Sequence, residues 1–262
     1  MENYKDIIYE KKNKVARITI NRPQVYNAFG MTALVEMTDA FRDASDDQSV
    51  RVIVLTGKGD KAFCTGGDVS EEKEFSVHIG RKYLSMAMTL SAEMRNSPKP
   101  IIAAVKGYCV GGGNELNVMC DLTIAADNAK FGQAGPRVGS VPVWGGTQLM
   151  PRLVGDKRAK EIVFLCRLYS AQEALQMGWI NRVVPLEKLE EEVQKWCEEL
   201  IAKSPNSLKI AKVSINFESD LLYASFVHGA ALLNLMHGTE EFTEGMSAFL
   251  QKRKPDFEKY HK

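Results

Sequence analysis

Two glycine corners, Phe63-Cys-Thr-Gly-Gly-Asp68 and Gly111-Gly-Gly-Asn-Glu-Leu116, decide how this chain is read. Each sits where a strand can hand over to a helix, so a backbone N–H from each can point at one oxygen with no side chain in the way. Such a pair is an oxyanion hole, and removing one donor from such a hole costs about 3–4 kcal/mol of transition-state stabilisation. A glycine cluster alone is an ordinary turn, so the flanking sequence has to supply the context. The apolar run 50–56 leads into the first corner, and the run 100–108 leads into the second. A short apolar helix, 116–120, follows the second corner, then another apolar run, 122–127, and then Phe131-Gly-Gln-Ala-Gly-Pro-Arg-Val-Gly-Ser140.

Further outward, residues 7–10 and 15–21 alternate like paired strands around the polar turn 11–14, and Arg22-Pro23 ends the second. Leu34, Met37, Ala40, Phe41 and Ala44 have the spacing of an amphipathic helix over 31–44. Strand, helix and strand recur as βαβ units, which predicts an α/β fold. Residues 69–81 lose periodicity and read as a mobile loop, followed by a Met-rich helix over about 82–95. Ser170-Ala-Gln-Glu173 is a capping box opening a helix that ends near Gly178, and 179–184 reads as extended. Helices are predicted over 186–203, 207–216, 221–236 and 239–249. The organisation expected is a core over 1–195 and a helical region over 196–262.

The 262 residues are 45% hydrophobic and 26% charged, with 34 basic and 33 acidic side chains interspersed for a net charge of +1. That is an ordinary globular profile with no footprint for nucleic acid. No signal core, Arg-rich leader or membrane-spanning run is present, so a cytoplasmic location and no membrane association are expected. Cys64, Cys109, Cys120, Cys166 and Cys197 show no C-x-x-C spacing and suit a reducing compartment. Cys64 lies inside the first corner, but no local base activates it as a nucleophile. His78, His228, His237 and His261 are too scattered for a metal site, and no metal is expected.

In their order, the two corners, the segment 131–140 and the C-terminal Lys252-Arg-Lys-Pro-Asp-Phe257 closely resemble the crotonase (enoyl-CoA hydratase/isomerase) superfamily, over nearly the whole chain. The resemblance implies a spiral of ββα units with a C-terminal helical region that drives trimerisation, as a homotrimer or a dimer of trimers. It also implies an acyl-CoA thioester substrate with no separate cofactor, since the coenzyme A belongs to the substrate. By the same resemblance, Gly67 and Gly112 donate the two amides. Coenzyme A threads along 69–77 from Val69, with His78 nearby and Lys252 near the phosphates.

Acid and base positions distinguish members of that superfamily. Enoyl-CoA hydratases carry one glutamate at the position of Glu115 and a second at the position of Gly135, so here only the first is retained. Residues 132–140 and the C-terminal stretch look more like the subgroup of 1,4-dihydroxy-2-naphthoyl-CoA synthase and 2-ketocyclohexanecarboxyl-CoA hydrolase, whose serine matches Ser140. Pro142 replaces that subgroup's aspartate and His237 its tyrosine, which counts against the synthase activity.

The resulting expectation is a catalytic set of Glu115, Ser140 and His237 with Trp144 as an aromatic wall. Glu115 takes a proton from water and His237 carries the second. Such a set adds water to an alicyclic acyl-CoA through an enolate, as a ring-opening hydrolase. Hydration of a cyclic or linear enoyl-CoA is the alternative, and a catalytically silent binding module is the non-enzymatic one. Structural duties are open to the same residues: Glu115 pairing with Arg137, Ser140 in a turn, His237 at a helix end, Trp144 in the core.

Overall fold

In a computed structural model, residues 4–260 are described, and His261 lies outside them. β1 (Ile7–Lys12) and β2 (Val15–Ile20) pair antiparallel. The strands run further than the polar pattern suggested, leaving a two-residue turn in which Asn13 and Lys14 both have positive φ, as a type I′ hairpin demands. α1 (Met31–Asp46) buries the predicted Leu34, Met37, Ala40, Phe41 and Ala44.

Three successive chain turns then repeat one motif. β3 (Val52–Gly57) and β4 (Ala62–Cys64) precede the helices α2 (Val69–Glu72) and α3 (Val77–Asn96). β5 (Ile101–Val105) and β6 (Tyr108–Val110) precede α4 (Gly112–Met119), and β7 (Leu122–Ala126) and β8 (Lys130–Gly132) follow. In each pair the first strand joins a six-stranded sheet and the second a four-stranded sheet. α5 (Met150–Val154), α6 (Asp156–Leu165), β9 (Tyr169–Ser170), α7 (Ala171–Gln176) and β10 (Arg182–Val184) come next. The large sheet runs β1-β2-β3-β5-β7-β10, parallel after the hairpin, and the small one runs β4-β6-β8-β9. This is the expected ββα spiral.

β3 and β5 are buried along their whole length because both faces are covered. Ile53, Leu55, Ile101, Ala103 and Val105 face the main core with α1 and α3. The alternate Val52, Val54, Ile102 and Ala104 face Leu189, Val193 and Cys197 of α8 (Leu189–Ile201). The expected 195/196 junction lies inside α8, which packs on the sheet. α9 (Pro205–Asp220), α10 (Tyr223–Asn234) and α11 (Glu240–Leu250) complete the helical end. α9 buries only Lys212 and leaves Ile215 at 79% and Phe217 at 65% exposure.

Residues 69–81, expected as a loop, carry α2 and the first turn of α3. Asp68 caps α2 by accepting from Ser70 N (3.0 Å) and is held by the Arg22 guanidinium at 2.9 Å. Ser76 caps α3. Short helices closed by side-chain caps have too few residues to show a period.

Candidate active site

The two glycine corners meet. Gly66, at φ +99°, backs onto the second corner so closely that a Cβ there would stand 2.8 Å from the Gly112 nitrogen. Gly113 lies so close to the Cys64 carbonyl that no side chain fits between. Phe29 bridges the first corner in the parallel sense: Phe29 N–H donates to Gly66 O, and Asp68 N–H donates to Phe29 O, each at 2.9 Å. In that pattern the Gly67 N–H points away from Phe29. The Gly112 N–H, first in α4, has no carbonyl one turn back to receive it. Both glycines line one cavity.

Glu115 lies in the first turn of α4 and is 6% exposed. Its Oε1 accepts from Trp144 N at 2.8 Å and Gly146 N at 3.1 Å, which leaves Oε2 for the cavity. Burial raises its pKa to about 7, the two amides pull it back, and the charge of Glu72 adds to the rise. The Arg137 pairing does not form, since that guanidinium donates to Cys166 O. Trp144 donates its indole N–H to Ala87 O at 2.9 Å and to Ser91 Oγ, and its ring meets Phe29 edge-on at 5.6 Å.

Val69, Ser140 and His237 line the same cavity. Ser140 is fixed by its backbone, with N–H donating to Gly135 O at 2.8 Å. His237 is buried between Phe75 and Phe242, with Nδ1 3.2 Å from Asn234 Oδ1. Burial lowers its pKa and favours the neutral imidazole. His78 is exposed on α3 and Lys252 is exposed beyond α11, and neither lines the cavity. Among the described residues no cluster of His, Cys, Asp and Glu is placed to hold a metal, and no helix is long and apolar enough to cross a membrane.

The sequence assigns no role to Glu72, Tyr83 and Gln133, which also line the cavity. Glu72 accepts from the Tyr83 hydroxyl at 3.0 Å, and its Oε1 presses on Gly67 so that a Cβ there would collide with it. Burial raises the Glu72 pKa to about 7, against the Tyr83 hydrogen bond. Gln133 is 1% exposed, and neither its amide oxygen nor its nitrogen has a hydrogen-bond partner. Buried polar atoms are almost always paired, so an orphaned amide beside a cavity marks a place for a ligand or water. Gln133 was legible as part of Phe-Gly-Gln, but its orphaned state was not.

Residues 10–260 match the enoyl-CoA hydratase/isomerase family. The chain belongs to that family. Solved relatives agree over nearly full length. The enoyl-CoA hydratase subunit I of Geobacillus kaustophilus HTA426 is 35% identical, with 98% of this chain and 99% of that one covered and a TM-score of 0.79. The Bacillus anthracis enoyl-CoA hydratase is 32% identical over 96% and 98%, with a TM-score of 0.78. That of Mycobacterium avium subsp. paratuberculosis K-10 is 26% identical over 97% and 98%, with a TM-score of 0.89. As a crotonase-family enzyme, the protein acts on acyl-CoA.

Proposed function

We propose that this crotonase-family enzyme adds water to an alicyclic acyl-CoA, with the thioester oxygen held by the Gly67 and Gly112 amides and Glu115 taking a proton from water. The observation that carries the reading is the cavity where those groups converge. Its free space is about 130 Å³, comparable to the ~150 Å³ engineered cavity that admits one benzene ring. A compact ring suits that volume better than a long acyl chain. Glu115, with a pKa near neutrality, is ionised in part at working pH and still basic enough to accept a proton. In this reading Ser140 and Gln133, both lining the cavity, hold the ring oxygen or the water.

Hydrolytic opening of a 2-oxocycloalkanecarboxyl-CoA is the leading reaction, supported by the subgroup likeness of residues 132–140. Plain hydration of an enoyl-CoA is the second reading, favoured by the enoyl-CoA hydratases 32% and 35% identical to this chain. Incubation with 2-oxocyclohexanecarboxyl-CoA, cyclohexene-1-carboxyl-CoA and crotonyl-CoA, with products weighed by mass spectrometry, separates them. Ring-opened diacid thioester is the expected product. Hydration without ring opening moves the assignment to the second reading, and inert thioesters throughout overturn both. The exposed apolar residues of α9 support assembly as a trimer or a dimer of trimers, expected as three or six chain masses in sedimentation.

A further inference from the structure

We propose that Glu72 delivers the proton that quenches the enolate at the α-carbon, with Tyr83 positioning it, while Glu115 handles the water. The inference rests on the water-adding reading of the cavity. The α-carbon is bonded directly to the thioester carbonyl carbon, so its proton donor must stand beside the oxyanion hole. Glu72 does: its Oε1 lies against Gly67, one of the two hole glycines, and its carboxyl is within electrostatic reach of Glu115. His237 has Gly80, Phe75, Phe242 and Asn234 as neighbours, none of them in a glycine corner. Ser140 offers only a hydroxyl, a far weaker acid than a carboxylic acid. Glu72 thus supplies the second carboxyl that Gly135 lacks, from a different part of the chain.

The steps balance. The Glu115 carboxylate takes one proton from water as the water oxygen bonds to the electrophilic carbon. In ring opening that carbon is the ring ketone; its C=O re-forms as the bond to the α-carbon breaks, and the released pair becomes the thioester enolate. In hydration the carbon is Cβ, and the displaced π pair becomes the same enolate. The Glu72 carboxylic acid then gives its proton to the α-carbon, where the enolate pair forms the C–H bond. Proton passage from Glu115 to Glu72 restores the start, and the net change is one water added.

The titratable groups whose charge or hydrogen bond reaches Glu72 are Asp68 and Glu71 on its own segment, Tyr83 from α3 and Glu115 from α4. Arg22 is tied to Asp68, His237 is favoured neutral, and α11 brings Met246 and Phe249 to the cavity. Tyr83 donates to the carboxyl and lowers its pKa.

Deuterium wash-in at the α-carbon of cyclohexanecarboxyl-CoA in D2O tests the assignment, because without water addition it runs the quenching step backward and then forward: the Glu72 carboxylate takes the α-proton, exchanges it with solvent and returns a deuteron to the enolate. The whole chain is expected to exchange. Glu72→Gln is expected to lose exchange by a factor of about 10²–10⁴ while binding the thioester as before. Glu115→Gln is expected to exchange yet fail to add water. Tyr83→Phe, which spares both carboxyls, raises the Glu72 pKa and is expected to move the acid limb of the exchange profile to higher pH. Wild-type exchange in Glu72→Gln, or exchange lost through Glu115→Gln instead, overturns the assignment alone. Absence of exchange in the unaltered chain overturns it together with the water-adding reading.

Discussion

Glu115 and Glu72 share a cavity and a burial-driven rise in pKa to about 7, yet they are held in opposite ways. Glu115 projects from the eight-residue α4 and is gripped by two main-chain amides. Glu72 ends the four-residue α2 and is held by one phenol. Amide donors favour the carboxylate, and two favour it more than one hydroxyl. The difference favours the ionised form on Glu115 and the protonated form on Glu72. Because they sense each other's charge, they titrate as a pair.

The largest expected effect comes from removing the amide-bound member. Glu115→Gln is expected to lower kcat/KM for the turned-over thioester by about 10²–10⁴, read by steady-state kinetics. It also removes one source of pH-dependent stability. The folded-state pKa of Glu115 is raised from 4.5 to about 7, so the folded protein binds more protons than the unfolded chain between those values and loses stability as pH rises through them. Relative to wild type, Glu115→Gln is expected to gain up to about 3 kcal/mol above pH 7 and nothing below about pH 4, measured by urea titration at both ends. An equal difference at both ends would show that the carboxyl is not the burdened group.

Gly67→Ala strikes the phenol-held arm and the glycine corner together, since the new Cβ collides with Glu72 Oε1, presses on the Tyr83 hydroxyl and crowds the Gly67 amide proposed to hold the thioester oxygen. A fall of about 10²–10³ in kcat and a stability loss of about 1–3 kcal/mol are expected from kinetics and melting. Asp68→Ala touches only the phenol-held arm. It removes the cap of α2 and the Arg22 anchor, at about 0.5–2 kcal/mol, with the Trp144 and Gly146 amides still on Glu115. Turnover is expected to fall several-fold; an unchanged rate would mean α2 is held by its other contacts.

The same contrast explains what the sequence shows. Glu115 is legible because a glycine turn and a helix start place it locally, at the position where the resembled family carries a glutamate. Glu72 lies in an aperiodic acidic stretch, and its inward turn depends on Tyr83 and Gly67, neither of which its neighbours announce. Strands with both faces covered, β3 and β5, announce themselves as unbroken apolar runs. α9 is legible as a helix, but not as one that leaves Ile215 and Phe217 in solvent. His78 and Lys252, carried over from resemblance, lie outside the cavity that Val69 lines.

Glu71, beside Glu72, faces the other way: its Oε2 accepts from Met31 N at 3.3 Å, where α1 begins behind a Gly30 that offers no side-chain cap. Any outward swing of α2 to admit a bulky thioester therefore strips this acceptor from the first amide of a sixteen-residue helix. An opened entrance would thus leave its mark on the far side of α2, as quicker amide exchange at Met31.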